Sequence, residues 1–225
     1  MLGIRLDSGD LTWLSIQARQ LLDDAGFANA SIVASNDLDE HLIENLKQQG
    51  AQINVWGVGT RLATAFEQPA LGGVYKLSAV REHNGTWEPR VKLSEQAIKV
   101  SNPGTLQVRR YSCDGEFLAD AIYDVDLAFS ENSRIIDPMD VTRQRPIDPT
   151  HDFEDLLLPM FRGGKRVYDP PSIHLSRERT KEQLSCFYKG IRRFVNPHEY
   201  PVGLESELHE LKTKLILAAR GHALA

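Results

Sequence analysis

The stretch IRLDSGDLTWLSIQARQLLDDAG, residues 4–26, decides how the rest of the chain is read. Ile4, Arg5 and Leu6 form a short run that breaks into the polar turn Asp7-Ser8-Gly9-Asp10. Leu11, Leu14, Ala18, Leu21 and Ala25 then recur at three- and four-residue steps, the spacing of one face of an α-helix. Gly26 predicts the end of that helix, because glycine enters the left-handed C-cap conformation without steric cost. A strand, a polar turn and an amphipathic helix make one unit of an α/β fold, provided that the unit repeats.

It repeats twice. Ser31–Ala34 predicts a second strand, Ser35-Asn36-Asp37 its turn, and Leu38, Leu42, Ile43 and Leu46 a second helix ending at Gly50. Asp37 followed by Glu40 predicts a capping pair. Residues 53–56 predict the third strand, Gly57-Val58-Gly59-Thr60 its turn, and Leu62, Ala65 and Phe66 a helix running up to Pro69. Strands alternating with helices imply parallel strands joined by right-handed crossovers. Ligands of such sheets and barrels bind at the carboxyl ends of the strands, where all three polar turns fall.

Beyond residue 73 the pattern changes to antiparallel β structure. Val74–Val80 and Thr86–Leu93 flank the hairpin signal Asn84-Gly85, and Leu106–Ser112 and Phe117–Val125 flank Asp114-Gly115. Residues 137–171 are punctuated by proline and are expected to be loop. Helical spacing returns over 174–194 (Leu184, Phe187, Tyr188, Ile191) and 204–220 (Leu204, Leu208, Leu211, Leu215).

The 225 residues carry a net charge of −5, which argues against binding a nucleic-acid backbone. There is no apolar run of the ~18 residues a membrane span needs. Arg5 and Asp7 stand where a signal peptide would have its apolar core, so the expectation is a cytoplasmic protein with no membrane partner. Cys113 and Cys186 match no zinc spacing and read as free thiols.

Each polar turn has two readings. Asp7-Ser8-Gly9-Asp10 suits ribose hydroxyls, with or without a divalent ion, and Arg5 suits a phosphate or carboxylate; the alternative is a helix cap beside a surface ion pair. Ser35-Asn36-Asp37 is divided in the same way, and capping accounts for Asp37. Gly57-Val58-Gly59-Thr60 lets backbone approach a phosphate, although it is neither a Walker loop nor a full dinucleotide fingerprint. Lys76 either reaches the same mouth or points to solvent. Arg162-Gly163-Gly164-Lys165-Arg166 reads as a solvated turn. None of His41, His83, His151, His174, His198, His209 and His222 is paired at ligand spacing.

Taken in order, GIRLDSGDL, IVASNDLDE, VWGVGT and PALGGVYKL closely resemble the nicotinate phosphoribosyltransferase family through residues 1 to about 80. NPGTLQVRRY, DLLLPMFRGGKRV and PVGLESELHELKTKL continue the likeness more loosely. The resemblance implies an α/β fold, a partial (β/α) barrel of the type II phosphoribosyltransferase kind with a second α+β lobe. Residues 1–80 would be the C-terminal part of the barrel, and 81–225 an antiparallel β lobe with C-terminal helices. It implies joining nicotinate to 5-phosphoribosyl-1-pyrophosphate on the route to NAD, with Mg2+ and ATP, in a homodimer when full-length.

By similarity Arg5 contacts the phosphoribosyl substrate or the nicotinate carboxylate. Asp7, the catalytic candidate, lies by the ribose or its metal; Ser8 and Gly9 bind substrate, and Asn36 and Asp37 lie by the ribose hydroxyls. Gly57, Gly59 and Thr60 surround the 5-phosphate, and no residue is assigned as a direct metal ligand. The family's phosphorylated histidine, in a Gly-Thr-x-x-His stretch, has no counterpart here, so the chain is expected to turn over little substrate alone and to be the later part of a longer protein. The alternatives are a non-catalytic phosphosugar-binding remnant, or another type of phosphoribosyltransferase such as a quinolinate or nicotinamide type. An aldolase-like lyase is disfavoured, since no lysine or cysteine sits at a strand end.

Overall fold

The computed structural model describes residues 2–130 and 132–221, and the chain divides into two compact units, Met1–Val74 and Tyr75–Ala225. In the first, β1 (Gly3–Leu6) leads into α1 (Leu11–Asp24) and β2 (Ser31–Ala34) into α2 (Glu40–Gln48). β3 (Val55–Trp56) leads into the single turn α3 (Thr60–Ala63). The strands lie in the order β1-β2-β3, all parallel, as the alternation requires.

Register sets Ile4 beside Ile32, Leu6 beside Ala34, and Ala34 beside Trp56. With Leu11 and Leu22 of α1, Leu38, and Leu46 of α2, these side chains make one core. Ile32, Ala34 and Leu38 are completely buried in it. Strand side chains alternate, so Arg5, Val33 and Val55, paired across the three strands, share the opposite face. Both helices therefore cover one face of the sheet, and on the other Val55 is 43% exposed.

Three local expectations need correction. The buried face of α1 is Leu11, Ser15 and Leu22, while Leu21 is 69% exposed; Ser15 is kept by donating to the Thr12 carbonyl and accepting from the Gln52 amide. The cap of α2 is Asp39, accepting from the Leu42 amide at 2.8 Å, and not Asp37. Leu38 then sits just before the cap and packs in the same core as Ile43, a hydrophobic staple. Finally, α3 stops at Ala63 instead of continuing through Ala65 and Phe66, because Ala65 turns into the left-handed region (φ 47°).

In the second unit, β4 (Ala79–Val80) and β5 (Glu88–Pro89) are much shorter than predicted. β6 (Leu106–Cys113) and β7 (Glu116–Asp124) form the expected hairpin. Its turn places Asp114 and Gly115 at φ 49° and 79°, the paired left-handed geometry that suits a two-residue hairpin. Residues 137–171 are not loop alone. After β8 (Arg134–Ile136) come β9 (Gln144–Pro146), β10 (Asp152–Asp155) and the small hairpin β11 (Phe161–Arg162) and β12 (Lys165–Arg166). Helix α4 (Ile173–Ser185) ends nine residues short of the predicted 194, and the last helix starts late: Val202–Glu205 is a strand, β13, and α5 is Ser206–Ala219.

The main sheet runs β10-β6-β7-β13-β8-β9 and is mixed, with β7 and β13 its parallel pair. Two adjacent arginines lock its faces. Arg109 makes a bidentate pair with Asp155 (2.8 and 2.9 Å) beneath the Phe153 ring, 4.0 Å away. Arg110, on the opposite face, grips Asp120 at 2.9 and 2.8 Å beside the Phe117 ring. The Tyr200 hydroxyl donates to the same Asp120 carboxylate at 2.8 Å. Pairing with Arg109 holds the Asp155 carboxyl below its ordinary pKa. Burial, and then donation to Asp120, push the Tyr200 phenol well above its own.

Candidate functional site

The carboxyl ends of β1, β2 and β3 are tied together by backbone beyond the strands themselves. The Ser35 amide donates to the Leu6 carbonyl at 2.9 Å, and the Gly57 amide to the Ala34 carbonyl at 2.7 Å. Asp7, Ser35 and Gly57 thus form the next row on the face that carries Arg5, Val33 and Val55. Gly57 belongs there for a steric reason: a Cβ would stand 3.3 Å from the Ala34 carbonyl oxygen and 3.4 Å from Ser35 Cβ.

Arg5 reaches from β1 across this rim. One terminal nitrogen donates to Ser35 Oγ at 2.8 Å and the other pairs with Asp7 at 2.8 Å. All of residues 7–10 are exposed, as are Asn36 and Asp37. Asn36 and Asp37 are consecutive non-glycine residues at φ 98° and 47°, a conformation L side chains seldom adopt. Freed of capping by Asp39, Asp37 presents its carboxylate to solvent on the rim. Gly59 precedes α3, and a Cβ there would meet nothing within 4 Å. Since α3 is one turn long, the dipole expected behind Gly57–Thr60 is slight, and what this segment offers an anion is open backbone.

Asp10 takes the structural role. It caps α1, accepting from the Trp13 amide at 3.0 Å. Asp10→Ala is therefore expected to cost about 1 kcal/mol in urea unfolding and to leave the Arg5–Asp7 pair in place.

Lys76 belongs to the second unit, where its ammonium donates to the Lys99 carbonyl. Burial and the charge of Lys76 together lower the pKa of Lys212. Gly163 and Gly164 take left-handed φ in the β11–β12 turn, so Arg162–Arg166 is the solvated turn expected. Cys113 and Cys186 are unbridged. His222 lies outside the described residues.

Two features escaped sequence reasoning. A pocket of about 380 Å³ lies between the start of α2 and the segment after β3, lined by Asp39, Val58, Arg61 and Phe66 among others. Arg61 faces Asp39 at 3.6 Å and lies 4.2 Å over the Phe66 ring. Among the described residues, Glu40, His41 and Glu67 bring one potential metal-ligand atom each within 4.8 Å, all three exposed. Glu67 is too distant in sequence from Glu40 and His41 for spacing to reveal the group.

Residues 106–212 match the family model described as the nicotinate phosphoribosyltransferase C-terminal domain. The nicotinate phosphoribosyltransferase of Bacillus subtilis (strain 168) is 39% identical over 228 residues, which cover 95% of this chain and 46% of that protein. That of Dictyostelium discoideum is 35% identical over 226 residues, covering 92% and 37%. The crystal structure of human nicotinic acid phosphoribosyltransferase superposes with a TM-score of 0.69 at 28% identity, covering 96% of this chain and 40% of that one. The chain thus spans less than half the length of these relatives. With the mixed α/β fold, these matches make the phosphoribosyltransferases the class to which the chain is similar. Within that class the chain is similar to the nicotinate phosphoribosyltransferases, matching their C-terminal part.

Proposed function

We propose that the first unit is an arc of a (β/α) barrel and that its rim is part of a phosphoribosyl site. The observation that carries this is the row at the strand ends: Arg5 clamped between Asp7 and Ser35, with the strained Asn36-Asp37 turn beside it. Helices on only one face of a parallel sheet suit a barrel, whose other face turns inward. Together with the family matches, the rim supports the joining of nicotinate to 5-phosphoribosyl-1-pyrophosphate, giving nicotinate mononucleotide and pyrophosphate for NAD synthesis.

In that reaction the pyridine nitrogen attacks the anomeric carbon while the bond to the pyrophosphate oxygen breaks, the oxygen keeping the electron pair. Positive charge grows on the sugar, and the Asp7 and Asp37 carboxylates are placed to favour it. Arg5 holds an anionic group of the substrate through its planar fork. Ser8, Gly9 and Asn36 line the sugar, and Gly57, Gly59 and Thr60 admit the 5-phosphate to open backbone. Mg2+ fits the donor chemistry, since Asp7 and Asp37 are exposed oxygen donors of the kind it shares with substrate phosphates. Once bound, the ion would draw charge from the departing pyrophosphate. ATP is implied by the family; the rim residues define no site for it. A homodimer of the full-length protein and a cytoplasmic location belong to the same proposal. Among the described residues, no helix is long and apolar enough to cross a membrane.

Calorimetry with 5-phosphoribosyl-1-pyrophosphate and Mg2+ tests it. Binding is expected from this chain, weakened at least tenfold by Arg5→Met and by Asp7→Asn, with little or no turnover when nicotinate is added. Absence of binding by a chain whose circular dichroism is that of a folded protein would overturn the proposal.

A further inference from the structure

We propose that Ser35 is a positioning residue that aims the Arg5 guanidinium at the substrate anion; this rests on the phosphoribosyl site proposed above. Ser35 is the middle member of the strand-end row. Its backbone is tied to β1 through the Leu6 carbonyl, and its Cβ lies against the space that Gly57 leaves open. Its hydroxyl accepts from Arg5 at 2.8 Å.

An exposed arginine paired with one exposed aspartate is weakly held, because water screens the pair and the long side chain keeps much of its rotamer freedom. Arg5 and Asp7 are such a pair, with side chains 61% and 51% exposed. Ser35 changes this by adding a second anchor, just past the end of β2, to the other terminal nitrogen. A planar group held at two nitrogens, from the turns after two strands, has its orientation set as well as its position. The rigidity of the central strand is thereby passed to a side chain that Asp7 alone would leave swinging. The same row explains why Gly57 has no side chain: a Cβ at that point would crowd Ser35 Cβ and the Ala34 carbonyl.

The test is a double-mutant cycle on the whole chain, with 5-phosphoribosyl-1-pyrophosphate and Mg2+ as the probe. Ser35→Ala is expected to weaken binding about fivefold, the range of one hydrogen bond to a partly exposed charged group. Ser35→Thr, which keeps the hydroxyl, is expected to restore it. In an Arg5→Met background, Ser35→Ala is expected to change nothing further, since its effect passes through Arg5. Wild-type affinity in Ser35→Ala, or an undiminished loss in the Arg5→Met background, would overturn the assignment.

Should the wild-type chain bind no probe, it is the phosphoribosyl site that fails. Ser35 is then decided by NMR of the 15N-labelled Arg5 side chain. Rotation about its Cζ–Nε bond is expected to be slow in the wild type and fast in Ser35→Ala; equal rates would refute the clamp.

Discussion

Asp120→Ala is expected to destabilise the second unit by about 3–5 kcal/mol, the cost of breaking a buried ion pair from one side. Asp120 is 6% exposed and receives both Arg110 bonds as well as the Tyr200 hydroxyl. Without it, the Arg110 charge stays among the rings of Phe117, Phe187 and Tyr200 and has lost its bidentate partner. Urea unfolding followed by circular dichroism measures the loss, and a change below about 1 kcal/mol would mean that the network is not what holds this face.

The same variant has a pH signature. The folded Tyr200 phenol titrates above its unfolded value of about 10, because of burial and its bond to Asp120. Its contribution is whole below that unfolded value and is lost as pH rises through the folded one. The alkaline limb of the stability curve should therefore flatten in Asp120→Ala. Asp155, held low by Arg109, acts on the other side. Its contribution is present above about pH 4 and is lost as pH falls through the depressed folded value. That acid limb should survive the mutation.

Gly203→Ala should cost about 3 kcal/mol or more, at the upper end of overpacking effects. A Cβ at Gly203 would lie 2.4 Å from the Ile136 carbonyl oxygen and 2.7 Å from its carbon. Those atoms belong to β8, itself paired between β13 and β9, so there is no flexible side chain to swing away. Gly73→Ala, where a Cβ would meet nothing within 4 Å and φ is not positive, is the control and should shift the unfolding midpoint little.

The parts of the fold that local chemistry dictates were legible in the sequence. Three apolar runs followed by polar turns do become three parallel strands with a polar rim, because alternation and helical spacing are local properties. Asp114-Gly115 makes its hairpin because that pair readily takes the left-handed turn. What was misread depends on competition or on distant partners. Asp37 and Asp39 are both capable caps, and burial of Leu38 selects Asp39 by bringing that residue to the helix start. Leu204 and Leu208 have helical spacing, yet Leu204 lies in β13 and Leu208 in α5, and both are buried. Asp152–Asp155 carries no strand signature and is drawn into the sheet by pairing with β6, which also delivers Asp155 to Arg109. At the rim, the nearness of Arg5 to Asp7 was legible in the sequence, with a site and a surface ion pair both open. The contact of Arg5 with Ser35 was not, since the two lie 30 positions apart.

β13 comes near the end of the described chain but occupies the interior of the six-stranded sheet, between β7 and β8. Until Val202–Glu205 is made and inserted, the hairpin of β6 and β7 and the pair of β8 and β9 are two separate ribbons, each with an unpaired edge. Closing them means fixing a loop that spans tens of residues before any pairing energy returns, which makes insertion the slow step of folding. A growing chain therefore exposes adhesive strand edges from the completion of β7 at Asp124 until Val202–Glu205 is made, the condition under which aggregation competes with folding. Yield from cells should accordingly depend more on growth temperature and chaperone supply than the stability of the finished sheet would suggest.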